Sequence, residues 1–227
     1  ASKFCFMHLE DYKNQKGNSK QPKLEVMDNW LLSKLSRLIA ESTDSFNKYE
    51  FSRTKNNTEN FFWHVFCDNY LEFAKDRLYN PDDRGKESRV SAQYALYTSL
   101  LSIIKLMSPF TPHITEEIYQ LFFVKHEKAK SVHISEWPKP ALSKPDKTAE
   151  EAGDIAVDII SAVRKYKSEN NLSLKSEIKN LVIKTKHKGK LKSILEDIKA
   201  VTKSEEIVFE GNANIDCGED VKIGIEI

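Results

Sequence analysis

The stretch SPFTPHITEEIYQLF, Ser108 to Phe122, sets two prolines ahead of a pair of glutamates and an apolar run. Either Glu116 and Glu117 are a catalytic carboxylate pair, or they belong to the first turns of a helix. Thr111 is a good N-cap, and Pro112 falls at the first helical position, where its missing N–H costs little. Negative charge near a helix start is favoured by the helix dipole. Adjacent helical residues diverge by about 100° and cannot share a proton. The stretch therefore reads as a sharp helix start inside a bundle, with Ile114, Ile118, Leu121 and Phe122 expected as its buried stripe.

Working outward, the run before it, ESRVSAQYALYTSLLSIIKLM, is apolar on nearly every side after Tyr94. Such a helix is the central member of a bundle. Upstream, SRTKNNTENFFWHVFCDNYLEFAKDRLY places Thr58, Phe62, Val65, Phe66, Asn69, Tyr70, Phe73 and Arg77 on one face, with Ser52 as cap and NPDDRG as breaker. Trp30, Leu31, Leu35, Leu38 and Ile39 recur at helical spacing after Asp28, the expected N-cap. Residues 13–25, KNQKGNSKQPKLE, read as a loop.

Downstream, SVHISEW alternates like a short strand, and PKPALSKP packs three prolines into eight residues, a stiff linker. Beyond it, Thr148 and Glu151 form a capping box. They open a helix with Ile155, Ile159, Ala162, Val163 and Tyr166 on one side. IKNLVIKT reads as a strand, KLKSILEDIKAVTK as an amphipathic helix, and EEIVFEG and DVKIGIEI as strands. The expected fold is mainly α. An antiparallel helix bundle over 1–137 and a linker over 138–147 precede a small α+β unit, α-β-α-β-β, over 148–227. The strands flanking the helix should run parallel, and the last two should form a hairpin or near neighbours.

Composition narrows the function. The 227 residues hold 35 basic and 34 acidic side chains, a net charge of +1, so affinity for nucleic acid must come from local patches. No apolar run reaches the ~18 residues of a membrane span, and no signal-peptide profile opens the chain. The first residue is not methionine, and a piece of a longer protein is expected. Cys5, Cys67 and Cys217 are too far apart for metal-ligand spacing and read as reduced thiols of a cytoplasmic protein. Phosphate-loop and dinucleotide-binding glycine patterns are missing. His64 and Asp68 lie one helical turn apart, but no nucleophile accompanies them, so a surface hydrogen bond is the reading. Asp68 and Glu72 could share a metal, yet Lys75 and Arg77 are within reach, which favours a solvated charged face. No catalytic or metal-binding residue is assigned.

What remains are basic patches with aromatics nearby. Lys3, Phe4, Phe6 and His8 crowd the start; Lys75, Arg77, Tyr79, Arg84, Lys86 and Arg89 surround one helix break. Arg164, Lys165, Tyr166 and Lys167 end another helix, and a lysine run spans Lys184 to Lys192. Single-stranded RNA is held by aromatic or guanidinium stacking with Lys and Arg on phosphates, although a lysine run in a lysine-rich chain is ordinarily wet surface.

Four stretches are more specific than any patch: MDNWLLSKL, FFWHVFCDNYLEFAKDRLY, LLSIIKLMSPFTPHITEEIYQ and SVHISEWP, in this order. Together they resemble the C-terminal anticodon-binding region of the class I aminoacyl-tRNA synthetases for branched aliphatic amino acids, with valyl-type enzymes nearest. The pattern W-x-x-F-C-D-x-Y-L-E-x-x-K runs from Trp63 to Lys75, and P-F-x-P-x-[IL]-[TS]-E-E-[IL]-[YW]-Q from Pro109 to Gln120. The opening ASKF resembles the end of the family's N-A-[AS]-[RK]-F motif. AVRKYKSENNLSLK, Ala162 to Lys175, resembles a further helix end of that family.

The resemblance implies docking of a tRNA anticodon stem-loop, that of the valine acceptor, by a monomer with no membrane partner. It implies a parent ligase that joins valine to its tRNA using ATP and magnesium, with catalytic and editing domains not represented here; KLMSPF is not the family's K-M-S-K-S loop. No cofactor is expected in this chain itself. The candidate tRNA-binding residues are Lys3, Phe4, Arg77, Arg84, Arg89, Arg164 and Lys167, with Phe4 resembling an aromatic that stacks on an anticodon base. Trp63, Phe66, Tyr70 and Pro109 are assigned to core packing. The valine anticodon carries cytosine where isoleucine usually carries uracil, so an acceptor should meet the cytosine amino group, worth roughly 1–3 kcal/mol of discrimination. Ending on IGIEI, without the coiled coil of bacterial valyl enzymes, the chain either stops short or belongs to an archaeal-like branch. Cys217 alone cannot make the zinc cluster of isoleucyl enzymes. The isoleucyl or leucyl equivalent, and a helical protein-interaction module that ignores RNA, remain the alternatives.

Overall fold

Long amphipathic stripes need a shared interior, and the chain supplies one. The computed structural model describes residues 1–12, 21–218 and 220–227. Of the loop expected at 13–25, residues 13–20 lie outside the described residues, and 21–25 lead into a helix without regular structure.

The bundle is built from α1 (Ser2–Leu9), α2 (Val26–Asn47), α3 (Phe51–Asn60), a π-helical segment (Phe61–Tyr70), α4 (Leu71–Tyr79), a short α5 (Pro81–Arg84), α6 (Lys86–Met107) and α7 (Pro112–Leu121). The expected stripe of α2 is buried through Trp30, Leu31, Leu35, Leu38 and Ile39. Helix α6 is buried along most of its length, from Ser91 through Leu106, and touches α1, α2, α3, α4 and α7, as its apolar sides require.

After the Pro-rich stretch, α8 (Lys147–Glu169) lies along α2, followed by β1 (Ile178–Thr185), α9 (Lys188–Leu191), α10 (Leu195–Thr202), β2 (Ser204–Val208), β3 (Ile215–Asp216) and β4 (Val221–Glu226). The sheet order is β2-β1-β4-β3. β1 and β2 are parallel, with Leu181 opposite Ile207, as a crossover through α10 demands. The last two expected strands do not pair: β4 is antiparallel to β1, with Ile183 opposite Ile223, so β1 separates β4 from β2. The partner of β4 on its other side is the two-residue β3. One apolar cluster runs from Leu31 and Leu35 through Ile159 and Val163 to Leu181 and Ile223. Residues 138–147 are tied along α2, the Leu142 N–H donating to Ser36 Oγ at 3.0 Å and the Asp146 N–H to Ser33 Oγ at 2.8 Å.

Several local expectations are corrected. Helix α2 starts two residues before Asp28, with Glu25 as N-cap, because Asp28 is drawn inside by Arg77. Glu50, not Ser52, precedes the first turn of α3. Thr111 does sit at the N-cap of α7, but its hydroxyl donates back to the Met107 carbonyl. Asp146 caps α8 by accepting from the Ala149 N–H at 3.0 Å, while Glu151 of the expected capping box is drawn to Lys190. KLKSILEDIKAVTK is not one helix: a 3-10 turn at Lys192–Ile194 separates α9 from α10, and Leu191, Ile194 and Ile198 face the core.

SVHISEW is not a strand but a 3-10 turn at Val132–Ile134. Glu116 explains it, accepting from Ser131 Oγ at 2.8 Å and from the Val132 N–H at 3.0 Å, which curls the segment onto α7. Glu116 is thus a structural acceptor, and Glu117 is exposed. The buried side of α7 is Thr115 and Tyr119, with Phe123 beyond, and the Tyr119 hydroxyl donates to the Ala129 carbonyl at 2.7 Å. Ile114 and Leu121 are 56% and 60% exposed, against expectation. Trp63 is 57% exposed and Pro109 is also exposed, so neither packs in the core, whereas Phe66 and Tyr70 do.

Candidate nucleic-acid interface

A cleft of about 860 Å³ opens between the bundle and the α+β unit. Its bundle wall is the π-helical segment continuing into α4, with His64, Asp68, Asn69, Glu72, Lys75 and Tyr79 facing the space. The π-helix widens the turn, and the Asn69 side-chain amide donates to the His64 carbonyl at 2.6 Å, closing that wide turn. The opposite wall carries Arg164 of α8, Lys175 of the loop after α8, and Lys203 just beyond α10, over a floor that includes Ile160 and Val163. Lys175 and Lys203 are exposed and, among the described residues, have no ion-pair partner. Acceptors thus predominate on one wall and cations on the other.

At one end stands Tyr79, 56% exposed. The His8 ring meets it edge-on at 4.6 Å between centroids, and Phe4 packs on His8 at 4.6 Å and lies 6.4 Å from Tyr79. His8 is buried, and its Nε2 has no hydrogen-bond partner among the described residues. Burial, then the charge of Arg89, holds its pKa below the ordinary histidine value.

The seven candidate residues divide sharply. Lys3 is exposed, and Phe4 is half-buried, 6.4 Å from Tyr79 at the aromatic end of the cleft. Arg164 lines the cleft and donates to the main-chain carbonyl of Asp68 at 3.2 Å, bridging the two walls. Arg77 has no exposed side-chain surface. Its guanidinium grips Asp28, Nη1 to Oδ2 at 2.7 Å and Nη2 to Oδ1 at 2.8 Å. Burial works against that charge, but the Asp28 carboxylate overrides it and raises the Arg77 pKa. Tyr70 and Ser91 donate to the same carboxylate. Lys167 is 2% exposed and donates to the carbonyls of Leu174, Ser176 and Thr202, at 3.2, 2.7 and 2.8 Å. These three bonds use its entire donor capacity.

Arg84 donates to Asp76 at 2.7 Å and to Asp197 at 2.6 Å, joining the bundle to α10. Arg89 holds the Leu78 carbonyl and Asp11, which seats the end of α4 next to Tyr79. Arg77, Arg84, Arg89 and Lys167 thus hold carboxylates and main-chain carbonyls of the frame, while the Nε atoms of Arg77 and Arg89 are buried without a hydrogen-bond partner among the described residues. The lysine run lies elsewhere: Lys186 pairs with Asp220, Lys190 with Glu151, and Lys188 sits 5.0 Å over the Phe209 ring.

Sequence reasoning named neither Lys175, the last residue of the AVRKYKSENNLSLK stretch, nor Lys203 as a candidate, and the two meet only through the fold. Tyr79 stood in a basic patch, a weak signal. The three thiols are free; burial pushes that of Cys5 up to about 12, which leaves it unreactive.

A family model for the anticodon-binding domain of tRNA ligases matches residues 28–183. The chain belongs to that family. Among its relatives is a valine–tRNA ligase of Thermococcus kodakarensis, 38% identical over 216 residues, which cover 94% of this chain and 24% of that protein. A valine–tRNA ligase of Pyrococcus furiosus is 38% identical over 181 residues, 80% of this chain and 20% of the relative. One of Rickettsia felis is 34% identical over 236 residues, 99% of this chain and 26% of the relative. The chain spans about a quarter of the length of the curated relatives it matches. This anticodon-binding domain has, among its described residues, no helix long and apolar enough to cross a membrane. No group of three or more His, Cys, Asp or Glu that could hold a metal stands among them either. These residues do not form a donor set for the magnesium that the resemblance assigns to the parent ligase.

Proposed function

We propose that this chain binds the anticodon stem-loop of a tRNA as the anticodon-binding part of a valine–tRNA ligase. The observation that carries the reading is the cleft with opposed walls: unpaired cations at Lys175 and Lys203 facing base-edge acceptors on the π-helical segment, with Tyr79 and Phe4 at one end. Phosphates run along the cationic wall, and loop bases stack at the aromatic end. Adenylate chemistry with ATP and magnesium, and editing, belong to other parts of the longer cytoplasmic enzyme. The chain acts on the loop as a monomer. Valine identity, rather than isoleucine or leucine, is supported by the relatives, which are valine–tRNA ligases.

Filter binding of the chain to valine tRNA, repeated over a range of salt, tests this. Phosphate contacts make log affinity fall linearly with log salt. Lys203→Glu and Lys175→Glu should each weaken binding and flatten that slope, and Phe4→Ala should weaken binding without changing the folded spectrum. Affinity indifferent to salt and to all three substitutions would instead identify an apolar protein-interaction module.

A further inference from the structure

We propose that Asp68 is the residue of this cleft that selects an unpaired base by its exocyclic amino group, taking cytosine over uracil. The inference rests on the anticodon-loop reading and adds to it the reader. Three carboxylates face the cleft from the bundle wall, and they differ in how far they are committed. Glu72 is held by Lys75 at 2.6 Å. Asp76 accepts from Asn80 at 2.8 Å and from Arg84 at 2.7 Å. Among the described residues, the Asp68 carboxylate has only His64 Nδ1 at 3.2 Å, and both of those side chains are mostly exposed. Its carboxylate keeps free lone pairs, and an ionised carboxylate can only accept.

Its position is nonetheless fixed. Asp68 lies on the π-helical segment, and Arg164 reaches across the cleft to its main-chain carbonyl. The same arginine, with Lys175 and Lys203 on the facing wall, supplies the positive charge that lets an acidic side chain approach a polyanion. A base pushed between the walls, with its phosphates on the cations, turns its edge to Asp68. Cytosine presents an amino donor there, whereas uracil presents a carbonyl oxygen that the carboxylate repels. Cytosine and uracil are close in shape, so one oriented acceptor suffices to separate them.

The test is the affinity of the 227-residue chain for two anticodon stem-loop hairpins that differ only in cytosine or uracil at the last anticodon position. The unsubstituted chain should favour the cytosine hairpin by about tenfold or more. Asp68→Ala should remove the preference by weakening the cytosine hairpin, with the affinity for the uracil hairpin unchanged or raised as the repulsion is lost. Asp68→Asn, which keeps an acceptor oxygen, should restore part of the preference, and circular dichroism should show all variants folded. A preference that survives Asp68→Ala, or an equal loss for both hairpins, overturns the assignment of Asp68 and leaves the loop-binding reading standing. Failure of the unsubstituted chain to hold either hairpin overturns both.

Discussion

Arg77 and Asp28, 49 residues apart, meet in a two-pronged ion pair from which solvent is excluded on both sides. It ties α4 to the start of α2, and Tyr70, Ser91 and Arg77 together saturate the carboxylate. Removing one partner of a buried pair leaves an uncompensated charge, which costs about 3–5 kcal/mol. Arg77→Ala should lower the free energy of urea unfolding by that amount. Arg77→Lys should recover only part of it, since an ammonium cannot reproduce the fork. Any loss of tRNA affinity should follow the loss of folded protein.

Lys167 offers a parallel case on the other side of the cleft. Lys167→Met keeps the length of the side chain but orphans two carbonyls in the loop after α8 and one at the end of α10. Leaving buried acceptors unsatisfied costs about 1–3 kcal/mol. The variant should unfold at correspondingly lower urea. Amide exchange in 170–177 should accelerate first, because that loop is tethered by this ammonium.

His8 makes stability depend on pH. Its pKa is lowered on folding, so near and below about 6.5 the unfolded chain binds a proton that the folded chain does not. Its contribution is intact above that value and declines as pH falls through it, levelling off below the lowered folded pKa. Arg89 and Asp11 are the charged groups that act on it, the first lowering and the second raising its pKa. The urea midpoint should drop between pH 7 and pH 5, and the drop should be smaller in His8→Gln. Equal slopes in the two proteins would remove His8 as the cause.

Gly153 tests the packing of α8 on α2. An added Cβ there would run into the Trp30 ring, whose Nε1 donates to Asp154 at 2.8 Å. Replacing a helical glycine by alanine ordinarily stabilises by about 1 kcal/mol, while overpacking costs about 1–3 kcal/mol. The steric term should win, and Gly153→Ala should lower the melting temperature. In a Trp30→Ala background the same substitution should raise it, and a loss in both backgrounds would reject the contact as the cause.

The long helices and β1 were legible because a 3.6-residue or two-residue apolar period follows directly from a shared interior. Helix α6 declared itself by being apolar all round. The stripe of α7 misled because that helix has two usable sides: Tyr119 won the interior with a large ring and a hydroxyl that reaches Ala129, and Ile114 was left outside. Basic residues were harder. A buried Arg77 and an exposed Lys203 look alike in a string of letters, and what separates them is a partner such as Asp28, distant in the chain. No composition signal marks a π-helix, so the wall that carries Asp68 emerged only from the backbone. The cleft itself is a property of how α8 and α10 lie against the bundle, which no local pattern encodes.

The carboxylate of Asp197 is clasped by Arg84 from the bundle and lies 3.8 Å from the Arg77 Nε, beneath the surface. That clasp spans the same two bodies that form the walls of the cleft, so the gap between them is set before any guest arrives. A strand of RNA entering it finds a slot already cut to width and surrenders only its own freedom of motion. Loosening Asp197 would turn a gauge into a hinge.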